Sequence, residues 1–139
     1  VSRCPRYCSE ASVKAIGGFC VDSGFDLHIS GAAGLHVRAT DLLGHVDTEA
    51  EVLEYCGAIL QMYREGAWYL ERIYKWQERI GLDTIRKTIM EDAEARAALW
   101  DRFRRSQSFA QVDPWQERVD GLEAHEFAPI TIVPALAAE

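Results

Sequence analysis

Cys4-Pro5-Arg6-Tyr7-Cys8 places two thiols four positions apart, close to the first residue of the sequence, Val1. A cysteine binds metal as its thiolate, and backbone N–H groups, a helix N-terminus or nearby cations stabilise that charge. The sequence offers all three. Pro5 fixes its own φ and steers Cys4 away from helical geometry, so a turn is expected between the sulfurs and both side chains can converge on one point. Ala11, Ala15 and Ile16 recur at helical spacing, which predicts a short helix over Ser9 to Ile16 with Cys8 near its N-terminus. Arg3 and Arg6 flank the thiols and would offset the charge of an anionic centre.

Two thiolates complete neither a structural zinc site, with its four ligands, nor a 4Fe-4S cluster, with its four cysteines. The motif therefore reads as half of a metal-cluster site. The other thiols are Cys20, in the strand-like Gly18-Phe19-Cys20-Val21-Asp22, and Cys56, among apolar positions of a helical stretch; neither has ligand-like spacing. Cys56 reads as a buried free cysteine acting as a small hydrophobe.

Ser2-Arg3-Cys4-Pro5-Arg6-Tyr7-Cys8-Ser9-Glu10-Ala11 resembles the second cysteine pair of the siroheme and 4Fe-4S nitrite and sulfite reductases. Further stretches narrow the resemblance to the C-terminal part of the large subunit of assimilatory NAD(P)H-dependent nitrite reductase. They are Ile16-Gly17-Gly18, the run from Leu27 to Arg38, Thr40-Asp41-Leu42-Leu43, Glu51 to Cys56, Tyr63-Arg64-Glu65 and Tyr69-Leu70-Glu71-Arg72. Arg79-Ile80-Gly81-Leu82, Ser106 to Gln111 before Asp113-Pro114-Trp115, and His125-Glu126-Phe127-Ala128-Pro129 extend it over nearly the whole chain.

The resemblance implies a cluster held by an upstream CxxxxxC pair together with Cys4 and Cys8, with Cys8 also the thiolate bridging to the siroheme iron. A shared sulfur couples cluster and haem electronically, and the protein tunes their potential through ligands, hydrogen bonds to sulfur and burial. The resemblance also implies that the anion-binding basic residues and the FAD and NAD(P)H domains lie in polypeptide outside this sequence. Nitrite would be the substrate of the full enzyme, reduced to ammonia, with the remaining polypeptide and a small subunit as candidate partners. The chain, opening on valine rather than methionine, is accordingly expected to be a fragment that is inactive alone. Many family members carry Gly-Asn where this chain has Ala32-Ala33; at Gly31 and Gly34, close approach to a cofactor and a plain hairpin connection are equal readings.

Composition fits a cytoplasmic enzyme piece. The chain has 139 residues and is 48% hydrophobic, enough for one modest core. Its net charge of −7 is uneven: residues 1–40 carry four Lys/Arg against three Asp/Glu, and the rest eleven against nineteen. An acidic helical part is a poor partner for nucleic acid. No apolar run of about 20 residues is present to span a membrane, and no signal peptide is visible. Four cysteines in such a chain favour a metal or redox role over disulfides.

The elements expected to position the thiols are those of an α+β fold. Residues 1–46 read as the thiol turn, a short helix and strands over Gly18 to Asp22, Phe25 to Ser30 and Leu35 to Arg38, as the end of a siroheme and 4Fe-4S reductase domain. Residues 47–139 read as a helical extension packing on it. Thr48 with Glu51 makes a capping box, and Val52, Cys56, Ile59, Tyr63, Ala67, Leu70 and Tyr74 then mark one face of a long helix stopped at Gly81. Further helices are predicted over Asp83 to Met90 and Ala93 to Arg105, the latter with Leu99, Trp100 and Phe103 as apolar contacts. The chain after Asp113-Pro114-Trp115 reads as irregular, through Pro129 and Pro134.

Other residues read as structural. Trp68, Tyr69, Tyr74 and Trp76 are expected in packing, and Arg102, Arg104 and Arg105 at a solvated helix end. His28, His36 and His45 lack the paired spacing of a zinc site. For Arg38, a siroheme carboxylate and a strand-surface salt bridge are equal readings. Two readings of the whole chain stand against the first: a fragment of a sulfite reductase, and a non-enzymatic helical module whose CxxxC holds structural zinc or closes a disulfide.

Overall fold

The glycine-punctuated apolar runs after residue 15 pair with each other. Strands β1 (Ile16–Val21) and β2 (Gly24–Ile29) form an antiparallel hairpin that sets Ile16 opposite Ile29 and Val21 opposite Gly24. The computed structural model describes residues 1–4, 6, 8–110 and 113–121. A two-residue ladder of β3 (Ala32–Ala33) with β4 (Val37–Arg38) follows, so the strand predicted over Leu35 to Arg38 is reduced to its last two residues. Then β5 (Asp41–Val46) returns along the free edge of β2, giving the order β1-β2-β5.

No alternating pattern announces β5, for a structural reason. Leu27 pairs with Gly44 but His28 pairs with Leu42, so Leu43 is an extra residue bulged out of the ladder. The bulge shifts the phase of the strand, and Leu43 and Val46, three residues apart, both point into the core.

Leu27, Ile29, Leu43 and Val46 form the inward face of the sheet. Against them pack α1 (Glu49–Gly66), α2 (Ile73–Ile80), α3 (Leu82–Arg86) continued by a π turn (Lys87–Glu91), and α4 (Ala93–Ser108), through Ala58, Ile59, Trp76, Ile85, Ile89 and Leu99. Each buried aliphatic or aromatic side chain contributes about 1.5–3 kcal/mol. Trp100 stacks on Phe103 with ring centroids 5.7 Å apart, both close over Gly57 of α1, as the apolar contacts predicted for α4 require. The fold is α+β, and sheet and helices share this core within Val1–Ser106. No helix among the described residues is long and apolar enough to cross a membrane.

The single long helix predicted to Gly81 is two helices. α1 stops at Gly66, and α2 starts at Ile73 and is the helix that Gly81, at φ 87°, terminates. Between them Leu70 adopts a left-handed conformation, φ 61°, which turns the chain. Glu71 holds the turn: its carboxylate accepts the Trp68 N–H at 3.0 Å and the Arg79 guanidinium at 2.9 and 2.7 Å, while its carbonyl accepts the Tyr63 hydroxyl. Arg79 also donates to the Gly66 carbonyl at 2.8 Å, capping the end of α1. The hydrogen bond from Arg79 is the largest influence on Glu71 and helps pull its pKa from the ordinary 4.5 to about 2. Periodic apolar residues cross the break, but Leu70 is exposed rather than part of the buried face.

The short helix predicted over Ser9 to Ile16 is also absent. A single 3-10 turn, Ala11–Val13, takes its place, and Ile16 already belongs to β1. A second compact unit, Gln107–Glu139, contains α5 (Pro114–Val119) where irregular chain is predicted. Asp113 caps α5 by accepting the N–H groups of Trp115 at 2.9 Å and Gln116 at 3.4 Å, and proline follows it in the first turn, a helix-start signal. The stretch around Pro129 and Pro134 lies outside the described residues.

At the start of α1 the predicted capping box is complete, with Glu51 N–H to Thr48 Oγ1 at 3.2 Å and Thr48 N–H to Glu51 Oε2 at 2.9 Å. Thr48→Ala is expected to destabilise the domain by about 1 kcal/mol in denaturant titration. Glu71 gives a pH-dependent result. A carboxylate whose folded pKa is depressed stabilises the fold fully above its ordinary pKa, and that contribution fades as pH falls towards the folded value. The stability difference between the wild-type chain and Glu71→Gln should therefore be constant above about pH 5 and shrink between pH 4.5 and about 2; a difference that stays constant to pH 2 contradicts the assignment.

Candidate functional site

The thiol-bearing segment is tied down at both ends. Before it, Ser2 forms a parallel bridge with Phe19 on the outer edge of β1, donating to the Gly18 carbonyl at 2.6 Å and accepting the Cys20 N–H at 2.9 Å. After it, Ala11 is buried beneath Gly17, where any Cβ on residue 17 would run into the Ala11 carbonyl. Cys4 and Cys8 stand on the loop between these anchors, both exposed as free thiols. Their sulfurs are 3.8 Å apart, well beyond the about 2.05 Å of a disulfide. Pro5 and Tyr7, on which the expected turn depends, lie outside the described residues.

Local hydrogen bonds do what the helix N-terminus was expected to do. The backbone N–H of Arg6, then the Cys8 thiol and backbone, hold the Cys4 thiol below its ordinary 9.0. The pair thus presents at least one readily formed thiolate on the surface, with Arg3 and Arg6 exposed on the same loop. Cys20 lies half-buried in β1 and Cys56 half-buried in α1, where burial pushes its thiol up. Among the described residues, no group of three or more His, Cys, Asp or Glu is placed to hold a metal ion.

Of the two readings of Arg38, the salt bridge is present. It donates to Asp41 at 2.6 Å and to the Ser30 carbonyl at 2.7 Å, so it fastens β4 to the end of β2 and the start of β5. Burial raises the Asp41 carboxyl, but hydrogen bonds from Arg38 and Gln77 outweigh it and leave the pKa lowered. Neither Gly31 nor Gly34 has positive φ; Gly31 is needed because its backbone lies against Val13 and Lys14, whereas Gly34 has open space around it. The left-handed residue of this loop is Ser30, φ 67°.

The histidines are structural or on the surface. His28 packs edge-on against Phe19 at 4.6 Å and meets the Thr40 hydroxyl at 3.3 Å, while Asp26, at 2.9 Å from His45, raises the pKa of that imidazole. Arg102 pairs with Glu65 at 2.7 Å. Packing holds for Trp76, which is fully buried, but Trp68 and Tyr69 are exposed at 68% and 93%.

Sequence reasoning missed the anchors Ser2 and Ala11; the signal was Gly17-Gly18 at a strand start, where missing side chains admit a second backbone. It also missed a cleft of about 660 Å³ between the Gly31–His36 loop and the start of α2. This cleft is formed by residues far apart in sequence.

Residues 1–97 match the family described as the nitrite and sulphite reductase 4Fe-4S domain. The chain is 45% identical over 117 residues to a nitrite reductase [NAD(P)H] of Bacillus subtilis (strain 168), covering 84% of this chain and 14% of that protein. It is 31% identical over 94 residues to the large subunit of nitrite reductase (NADH) of Escherichia coli (strain K12), covering 66% and 11%. Over 90 residues it is 26% identical to an assimilatory-type sulfite reductase of Nitratidesulfovibrio vulgaris, covering 65% and 41%. The chain thus spans about a seventh or less of the length of these nitrite reductases. No solved structure matches it significantly.

A thiol with a lowered pKa is ionised, and so alkylated, at lower pH than an ordinary cysteine. Cys4 should therefore react with iodoacetamide at neutral pH ahead of Cys56, as read by peptide mass spectrometry. Because the Cys8 thiol is one source of the lowering, Cys8→Ala should move the reaction of Cys4 to higher pH.

Proposed function

We infer that this chain, which belongs to the nitrite and sulphite reductase 4Fe-4S domain family, is part of an NAD(P)H-dependent nitrite reductase. In this reading Cys4 and Cys8 supply two of the four cysteines of a 4Fe-4S cluster, and Cys8 is also the thiolate shared with the siroheme iron. The observation that carries it is the anchored loop with two exposed sulfurs 3.8 Å apart, one of them with a depressed pKa. Soft thiolates suit iron–sulfur chemistry. Neither sulfur is held by burial, so each can turn to its own iron.

When bound, cluster and siroheme supply the electron-transfer chemistry that takes nitrite to ammonia. The chain's own residues orient and tune. Ser2 and Ala11 fix where the sulfurs stand, the Arg6 N–H stabilises charge on Cys4, and Arg3 and Arg6 offset the charge of an anionic cluster. The other cysteine pair, the FAD and NAD(P)H sites and the groups that bind nitrite are assigned to the remaining polypeptide, working in the cytoplasm. Nitrite is preferred over sulfite because the relative with 45% identity is named a nitrite reductase, against 26% for the one named a sulfite reductase.

One observation favours a second reading, a structural zinc site. Two thiolates on a tetrahedral zinc ion with bonds of about 2.3 Å stand about 3.8 Å apart, which matches the sulfur spacing. Metal analysis of the full-length protein decides between them. Iron with acid-labile sulfide and siroheme absorbance is the expected result, with Cys8→Ser losing nitrite reduction and the coupling between haem and cluster. Stoichiometric zinc without iron, or full nitrite turnover in Cys8→Ser, overturns the reading.

A further inference from the structure

The cleft beside α2 combines a basic rim with an apolar floor. Lys14, His36 and Arg72 line it, no carboxylate does, and Tyr63, Ile73 and Tyr74 form one wall. This is a local excess of positive charge on a chain of net charge −7. Lys14 is partly engaged by Glu10 at 3.0 Å, while no hydrogen bond or ion pair engages the side chains of His36 and Arg72 among the described residues. Leu35, on the opposite lip, is fully exposed.

Separated from Arg72 only by Glu71 is the Trp68-Tyr69-Leu70 turn, with exposures of 68%, 93% and 82%. Three consecutive large hydrophobic residues in water are unfavourable unless something covers them. The turn is also rigid. The Arg79 guanidinium lies 4.2 Å from the Trp68 ring, Glu71 accepts the Trp68 N–H, and Leu70 is held in left-handed backbone geometry that a free loop would relax. Aromatic residues backed by arginine and fixed before binding are what anchor positions in interfaces require, because little freedom is left to lose.

We propose that the cleft and the Trp68-Tyr69-Leu70 turn form one docking surface for an acidic, apolar-bearing segment of the same polypeptide, outside residues 1–139. The rim charge selects the acidic character, and the exposed anchors select the apolar side chains. The occupant is assigned to the same polypeptide because about six-sevenths of the length of the Bacillus subtilis relative lies outside the matched stretch. The inference rests on the reading of this chain as part of such a longer enzyme, but not on which metal Cys4 and Cys8 hold.

The test uses the full-length protein carrying Tyr69→benzoylphenylalanine, irradiated and mapped by peptide mass spectrometry. The expected product is an intrachain cross-link from residue 69 to a Glu- or Asp-containing segment outside residues 1–139. A cross-link between two copies, one within residues 1–139, or none at all overturns the proposal. A second measurement reads the rim. Arg72→Glu should raise the rate of limited proteolysis of the docked segment about tenfold or more, since cleavage follows the population of the open form, while Arg72→Lys should leave it unchanged. Equal cleavage in wild type and Arg72→Glu also overturns the proposal. Iron content and siroheme absorbance, measured on the same samples, report separately on the cluster assignment.

Discussion

The site depends on the backbone pairing that clamps the chain on either side of the two cysteines. Eight residues, 3–10, separate the bridge made by Ser2 from Ala11, which completes the clamp where it passes under Gly17. Closing a short loop between fixed ends leaves few conformations to lose, so thiols on such a loop are already gathered before any metal arrives. The sheet is in turn rigid because its inner face, Leu27, Ile29, Leu43 and Val46, is covered by helices. A weakness anywhere in that core would loosen the clamp and with it the sulfur geometry.

The thiol loop and the Trp68-Tyr69-Leu70 turn, both exposed, differ in how they are held. The thiol loop is held by backbone pairing and keeps its side chains free, which suits ligands that must turn towards metal. The Trp68-Tyr69-Leu70 turn is held by charged side chains, with Glu71 and Arg79 locking it from within. Ion pairs on a surface contribute little stability on average. Here the geometry is bidentate, the Glu71 side chain is only 9% exposed, and the pair also satisfies the end of α1, so its role is to specify a shape as much as to stabilise.

The sequence made the cysteine pair and the start of α1 legible because both are local. A CxxxC needs only its own residues to be recognised, and Thr48 with Glu51 caps α1 by contacts three residues apart. The β1–β2 hairpin was legible for the same reason, since apolar runs flank a turn. What escaped depended on strand pairing distant in sequence or on local hydrogen bonds that override the apolar period. The bulge at Leu43 removed the alternation that would have marked β5, and the π turn at Lys87–Glu91 lies inside an otherwise ordinary helical pattern. At residues 67–72 the apolar period runs on while hydrogen bonds to Glu71 from Tyr63, Trp68 and Arg79 break the helix. The short helix at Ser9 failed because Glu10 takes a left-handed conformation and Ile16 is claimed by pairing with Ile29.

The same distinction governs the functional reading. Sulfur spacing and a lowered thiol pKa suit a soft metal; they do not by themselves choose between one ion and a cluster, because both use thiolates. Family membership is what supports the cluster in the proposed reading, and it extends over residues 1–97, the stretch that contains both the clamp and most of the core. In the proposed reading, holding one half of a cluster against another half would require the loop to be fixed to a large body, and the burial of Ser2 and Ala11 at its two ends fits that requirement.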